Sequence, residues 1–152
     1  MPKKSAGILL YRKKNYFFEF FLVHPGGFFW KNKVDGAWSI PKGEFDSEVP
    51  LDAALREFKE ETGVGIAADI AIPLSPVKQK NGKIVYEWAI EKDIDEKSIK
   101  SNLVEMELHG RKISFPEVDK AGWFNREEAK LKINPAQFNL IDELMSIIEK
   151  LK

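Results

Sequence analysis

The chain has 152 residues, with 24 Lys plus Arg balanced by 24 Asp plus Glu, so its formal net charge is zero. That length suits a single domain over 1–152 with a sizeable core, and that balance excludes the broad basic footprint of a duplex nucleic-acid binder. With no cysteine there is no disulfide and no thiolate metal site, which is compatible with a cytoplasmic location.

Met1-Pro2-Lys3-Lys4 opens the chain, and no signal-like apolar run with a small-residue cleavage site follows it. No stretch approaches the roughly 18 apolar residues of a membrane span. Ser5 to Tyr11 (SAGILLY) reads as a buried strand, and Tyr16 to His24 (YFFEFFLVH) as a second one after a turn at Asn15. Pro25 to Gly36 reads as a loop holding Phe28, Phe29, Trp30, Lys31 and Lys33. Its rings either stack on a base beside the lysines or cover the sheet edge. Covering weighs more, because so apolar a loop must bury something.

Ala37-Trp38-Ser39-Ile40 reads as a strand, followed by a glycine loop at Pro41-Lys42-Gly43. A helix then runs from Pro50, suited to a first turn, to Gly63, suited to a C-cap. Leu51, Ala54, Leu55 and Phe58 have the spacing of its buried stripe. Glu57, Glu60 and Glu61 fall within an arc of roughly 100° on the edge of that stripe. Lys59 and Asp52 mark the solvent side. Like charges so placed repel, and a hard divalent cation between them would reverse the sign. A plain solvated acidic face is the competing reading.

Ile66 to Lys78 suggests a strand with an irregular start, and Asn81-Gly82 a hairpin turn between VKQK and KIVYEWAIE. In the latter, Ile84, Tyr86 and Trp88 alternate with Val85, Glu87 and Ala89. Asp93 to Lys100 reads as a surface connection and Ser101 to Leu108 as a strand or an ordered loop. Ala121 to Phe124 reads as a short strand, and Asn125 as the cap of a helix starting at Arg126. A last helix, about Pro135 to Leu151, shows Phe138, Ile141, Leu144, Ile147 and Ile148 at helical spacing. The two histidines, His24 and His109, lack ligand spacing and read as structural or surface residues. A Ser-His-Asp or Cys-His site is thus poorly supported.

Gly43, Glu48 and Arg56-Glu57-Phe58-Lys59-Glu60-Glu61-Thr62-Gly63-Val64 resemble the Nudix box. From Glu48 onward the match is complete, including the seven residues before Arg56. At the start, four residues separate Gly43 from Glu48, where the family pattern has five. The resemblance implies the Nudix fold, an α/β/α sandwich around a mixed sheet. It implies hydrolysis of a pyrophosphate bond in a nucleoside diphosphate derivative, with Mg²⁺ or Mn²⁺. Carried onto this chain, Glu60 and Glu61 bind metal, and Glu57 is a ligand or the general base. Arg56 holds a catalytic glutamate by a bidentate bond, Glu48 fixes the loop, and the carbonyl of Lys42 or Gly43 completes the metal shell. Glu117 is the candidate for a further acid from a late loop. Glu105 and Glu107 are alternatives that read better as surface residues. Lys42, Trp30 and Lys33 are the candidate substrate contacts. The Trp38 to Gly43 run resembles the dinucleoside-polyphosphate hydrolase branch, with nucleoside triphosphates and ADP-ribose or NADH as the next substrates. The alternative is a non-catalytic Nudix domain that binds a nucleotide as a sensor. The expected partner is a small nucleotide, with no nucleic-acid duplex and no membrane. Monomer and homodimer both stay open.

Overall fold

The two apolar runs at the N-terminus pair with each other. In the computed structural model, which describes residues 3–27, 30–68 and 70–151, they form β1 (Lys4–Lys14) and β2 (Phe17–Pro25). They are antiparallel, with Tyr11 opposite Phe20. Asn15, at φ 59°, makes the tight turn between them. On its other edge β1 takes β6 (Ile84–Glu91) in parallel, in unbroken register from Lys4 to Tyr11. The sheet is therefore mixed. β9 (Val118–Asn125) extends it beyond β2. The short β4 (Ile72–Pro73) and β5 (Val77–Lys78) lie along β6.

Both faces of this sheet are covered, which explains why its central strands are nearly continuous apolar runs. The even residues of β1, Ala6, Ile8 and Leu10, join Phe21, Val23 and Phe58 under helix α1 (Pro50–Thr62). The odd residues, Leu9 and Tyr11, join Phe20, Leu22, Ile141 and Leu144 under α3 (Phe138–Lys150). The layering is α/β/α, as expected.

Several local expectations hold. Gly63 ends α1 at φ 77° and donates its N–H to the Lys59 carbonyl at 2.7 Å. Asn125 forms a full capping box with Glu128 at the start of α2 (Arg126–Lys132). Others need correction. Ala37 to Ile40 is not a strand; Trp38 and Ser39 make only isolated bridges, to Ile133 and Val23. The strand comes later, as β3 (Lys42–Phe45), inside the expected glycine loop. It pairs with the first half of β1, so that Lys42 faces Gly7 and Gly43 faces Ala6. Ile66 to Lys78 is mostly irregular, because only its short β4 and β5 stretches reach the edge of β6. The stripe of α1 buries Ala53, Ala54 and Phe58, while Leu51 and Leu55 stay partly exposed. On α3, Phe138 is exposed under the Lys130 ammonium, and Leu140 is buried in addition to the expected Ile141, Leu144 and Ile148.

The chain also forms a ribbon apart from the main sheet. β7 (Leu103–Leu108) pairs with β8 (Arg111–Pro116) through a turn at His109 and Gly110, both at positive φ. His109 is thus a turn residue. The segment leading into the ribbon caps the end of α1: Lys100 N–H donates to the Thr62 carbonyl and Asn102 N–H to that of Glu60. Glu117 N–H in turn donates to the Asn102 carbonyl at 3.0 Å. Orphan carbonyls at a helix end need such partners, and meeting that need draws residue 117 to the C-terminal half of α1. No described helix is long and apolar enough to cross a membrane.

Candidate active site

The expected trio of glutamates divides. Glu57 and Glu61, one helical turn apart, are buried at 7% and 5% exposure. Glu60 points outward and is exposed. Arg56 organises the group. Its Nε and Nη2 grip the Glu48 carboxylate in a fork at 2.9 and 2.7 Å. Its Nη1 donates to Glu57 at 2.9 Å and to Glu60 at 3.1 Å. The bidentate bond thus goes to Glu48, across the turn into α1, and the single contacts go to the helical acids. Arg56 holds the Glu48 carboxyl below its usual range. The guanidinium itself is held firmly protonated, first by Glu48.

Gly43 explains why a strand runs here. A Cβ on Gly43 would collide with the Glu57 carboxyl group. Glycine therefore lets the β3 backbone lie flat against that carboxylate. Gly43→Ala should leave the fold intact, because no positive φ is required there. It should displace Glu57 and lower turnover about 10²-fold. Melting curves and kinetics on the same preparation check this; wild-type turnover in Gly43→Ala would sink it.

Glu61 is the most frustrated acid. Its Oε2 has no hydrogen-bond partner among the described residues. Burial pushes its carboxyl up to about 9, with repulsion from Glu117 and then Glu57 adding to the effect. The Lys42 ammonium and backbone oppose that rise. Glu57 is also raised, chiefly by burial and against the pull of Arg56. Lys42 is lowered, first by burial and then by Lys83. Glu117 therefore does belong to the cluster. Glu105 and Glu107 lie exposed on β7.

Among the described residues no three acids or histidines already converge as a finished cation cage. The donor set nevertheless fits a hard divalent ion. It presents two buried carboxylates, one with an orphaned oxygen, and Glu117 close enough to repel Glu61. Mg²⁺ keeps several waters and needs only one or two protein carboxylates.

Glu61, Glu117 and Lys42 line a cavity of about 210 Å³ together with Trp30, Ser39, Asn134 and Gln137. The sequence did not single out the last three. Gln137 accepts from Ile40 N–H at 3.0 Å and donates to Ser39 Oγ at 2.9 Å, which ties the start of α3 to the site. The polar break Asn134-Pro135-Ala136-Gln137 ahead of an amphipathic helix was the available signal. A second, larger cavity of about 740 Å³ adjoins it and shares Pro25, Trp30 and Glu117. Its other walls are largely apolar, including Val104, Met106, Leu108 and Phe115. Trp30 thus faces both spaces. Lys33 sets its ammonium 5.4 Å from the Trp30 ring centre. Lys33 is not among the residues lining either cavity. Its carbonyl meets His24 Nε2, whose Nδ1 lies 2.8 Å from Asp119. His24 is fully buried and structural, fastening this loop to β2 and β9. Phe28 and Phe29, the other candidate stacking rings, lie outside the described residues.

The fold has clear relatives among solved structures. The NUDIX domain of Shewanella oneidensis NrtR, in complex with ADP ribose, aligns with TM-score 0.69 and 13% identity, covering 97% of this chain and 89% of that one. A Caenorhabditis elegans Ap4A hydrolase binary complex aligns with TM-score 0.65 and 23% identity, covering 97% and 98%. A NUDIX hydrolase from Nitrosomonas europaea gives TM-score 0.62 and 15% identity, covering 96% and 90%. No curated protein matches the chain. The model of the NUDIX domain matches residues 1–144, nearly the whole length and all of the acid cluster. The chain belongs to the Nudix family and is a Nudix hydrolase.

Proposed function

We propose that the protein hydrolyses a pyrophosphate bond in a dinucleoside polyphosphate of the diadenosine tetraphosphate type, or in a nucleoside triphosphate, with Mg²⁺ or Mn²⁺. Nudix hydrolases use divalent metals. The observation that carries the reading is the buried Glu57 and Glu61 pair, of which Glu61 lines a cavity together with Glu117 and Lys42. Glu57, Glu61 and Glu117 would hold the cation, with Glu60 at the rim and the Gly43 carbonyl within the same group. The cation would neutralise charge on the reacting phosphates and acidify water.

The chain's own residues supply the rest. Glu57, as the alternative to holding the cation, would take a proton from the attacking water. Arg56 keeps Glu57 in place and fastens Glu48, so the turn into α1 does not drift. Lys42 offers the positive charge for phosphate oxygens. Trp30, between the two cavities, offers a ring face to a base, and Lys33 lies beside it. Two adjoining spaces, one acidic and one apolar, suit a substrate with a polyphosphate and a base. This reading takes 1–152 as one hydrolase domain acting in the cytoplasm. Retention of the buried acids favours an enzyme over a sensor, since a pure binder needs no such repulsive pair.

The test is a Mg²⁺ assay over diadenosine tetraphosphate, the common triphosphates, ADP-ribose and NADH, with products resolved by chromatography and Glu57→Gln as control. Turnover of a dinucleoside polyphosphate or a triphosphate, lost in the control, is expected. Turnover of ADP-ribose or NADH alone would overturn the substrate class. Binding without turnover across the panel would favour the sensor.

A further inference from the structure

Glu87 has no part in the acid cluster on α1, yet it is a deeply buried acid of the sheet itself. It is 1% exposed, and neither carboxyl oxygen has a hydrogen-bond partner among the described residues. It sits on β6, level with Ala89, on the face covered by α3. An aliphatic side chain there would simply extend the cluster of Leu9, Leu74 and Ala89. A buried, unpartnered carboxyl group destabilises a fold and calls for an explanation.

The register supplies one. Glu87 is the partner of Gly7 on one edge of β1, and Lys42 is the partner of Gly7 on the other edge. The three residues form one row across the sheet, with the outer two about 10 Å apart by Cα at the usual strand spacing. A Cβ on Gly7 would stand 2.6 Å from the Lys42 Cβ, so Lys42 projects from the same face as Glu87. The missing side chain at Gly7 opens the space between them. Besides Glu87, the charges facing Lys42 include Lys83, which repels it, and Glu61, Glu44 and Glu57, which attract it. Burial and then Glu143 raise Glu87, to about 8, and Lys42 is the cation that pulls it back.

We propose that Glu87 is a positioning residue for Lys42, its carboxylate drawing the lysine ammonium across Gly7 by charge alone, without an ion pair, away from Glu57 and Glu61 and ready for a phosphate group. Without this counterweight the ammonium is drawn onto the acid pair, where it neutralises the carboxylates and leaves the phosphates unmet. The inference rests on the phosphate-contacting role of Lys42 given above. It assigns Glu87 no contact with substrate.

The test is calorimetric binding of imidodiphosphate with Mg²⁺ at pH 8.5, using Lys42→Met, Glu87→Leu and the double variant. Lys42→Met is expected to weaken binding about tenfold, and Glu87→Leu by nearly as much. The double variant should bind no more weakly than Lys42→Met alone, because coupled residues are non-additive. Glu87→Leu should melt at or above the wild-type temperature, which separates positioning from loss of fold. Should it melt lower, the isosteric Glu87→Gln repeats the comparison under the same expectations. Wild-type affinity in the Glu87 variants beside weak binding in Lys42→Met overturns the positioning role alone. So do losses that multiply in the double variant. Wild-type affinity in Lys42→Met overturns the phosphate role of Lys42 and this inference with it.

Discussion

Glu61→Gln is expected to lower turnover about 10³-fold and, in the same protein without metal, to raise the melting temperature by several degrees. The two effects have one cause. Glu61 is buried with an unpartnered oxygen, and its carboxyl is pushed from 4.5 to about 9 by burial, Glu117 and Glu57. At pH 7 the unfolded chain gains by ionising this group, and the folded metal-free chain cannot. Over the interval from 4.5 to 7 that difference is about 3 kcal/mol against folding, at roughly 1.4 kcal/mol per pKa unit. Glutamine has the same shape and no charge, so it removes the penalty. On the proposed function it also removes an anionic donor for the cation. Kinetics and metal-free melting of one preparation check both parts. A variant that keeps wild-type turnover would exclude Glu61 from the catalytic group. One that loses turnover and also melts lower would show that Glu61 supports the fold rather than straining it.

The metal-free protein should lose stability steadily as pH rises from 5 to 9, and Mg²⁺ should restore much of it at the alkaline end. The sign follows from the direction of the shifts. Glu61 (to about 9), Glu87 (to about 8) and Glu57 all have raised folded-state values. Above about pH 4.5 the unfolded chain has released protons that the folded chain retains, so rising pH favours unfolding until the folded values are passed. Each strongly shifted group contributes up to about 1.4 kcal/mol per pH unit. Glu48 and Asp142 are shifted downward by Arg56 and by Lys130 with Arg126, so they act in the opposite sense and only in acid. On the proposed function Mg²⁺ would bind the ionised Glu57 and Glu61 of the folded state alone, and so would raise stability most where the loss is greatest. Glu87 lies outside that group, and Glu87→Gln should flatten the slope that remains with Mg²⁺ present. Melting curves at unit pH steps, with EDTA and with Mg²⁺, give the answer. A slope of the opposite sign, or one that Mg²⁺ leaves untouched, would contradict the account.

Local patterns carried much of the fold. The runs at Ser5–Tyr11 and Tyr16–His24 became β1 and β2 because nearly continuous apolar runs, the second rich in aromatics, suit strands buried on both faces. Gly63 and Asn125 marked helix ends through their own backbone and side-chain chemistry, which needs no distant partner. The Lys42–Phe45 strand and the Arg111–Pro116 half of the ribbon were not legible. Neither has a strong apolar alternation, and each exists because a partner strand offers free N–H and C=O groups.

The same division runs through the site. The acids and their spacing were readable in the chain itself, because helical periodicity places Glu57 and Glu61 on one side from local geometry alone. The parting of Glu60 from that pair follows the same periodicity, which sets Glu60 on the side of Glu57 away from the buried stripe, where Arg56 meets it. Glu117 came to the cluster because the open end of α1 needed hydrogen-bond donors, and the segment that supplies them carries it there. Glu87 looked like one polar residue in an alternating strand. Its place opposite Lys42 arises from parallel pairing with β1 over a bare glycine, a relation between residues 45 positions apart. Residue type and period specify elements and their faces. Which charges meet is set by the long-range pairing of strands, on which local sequence is silent.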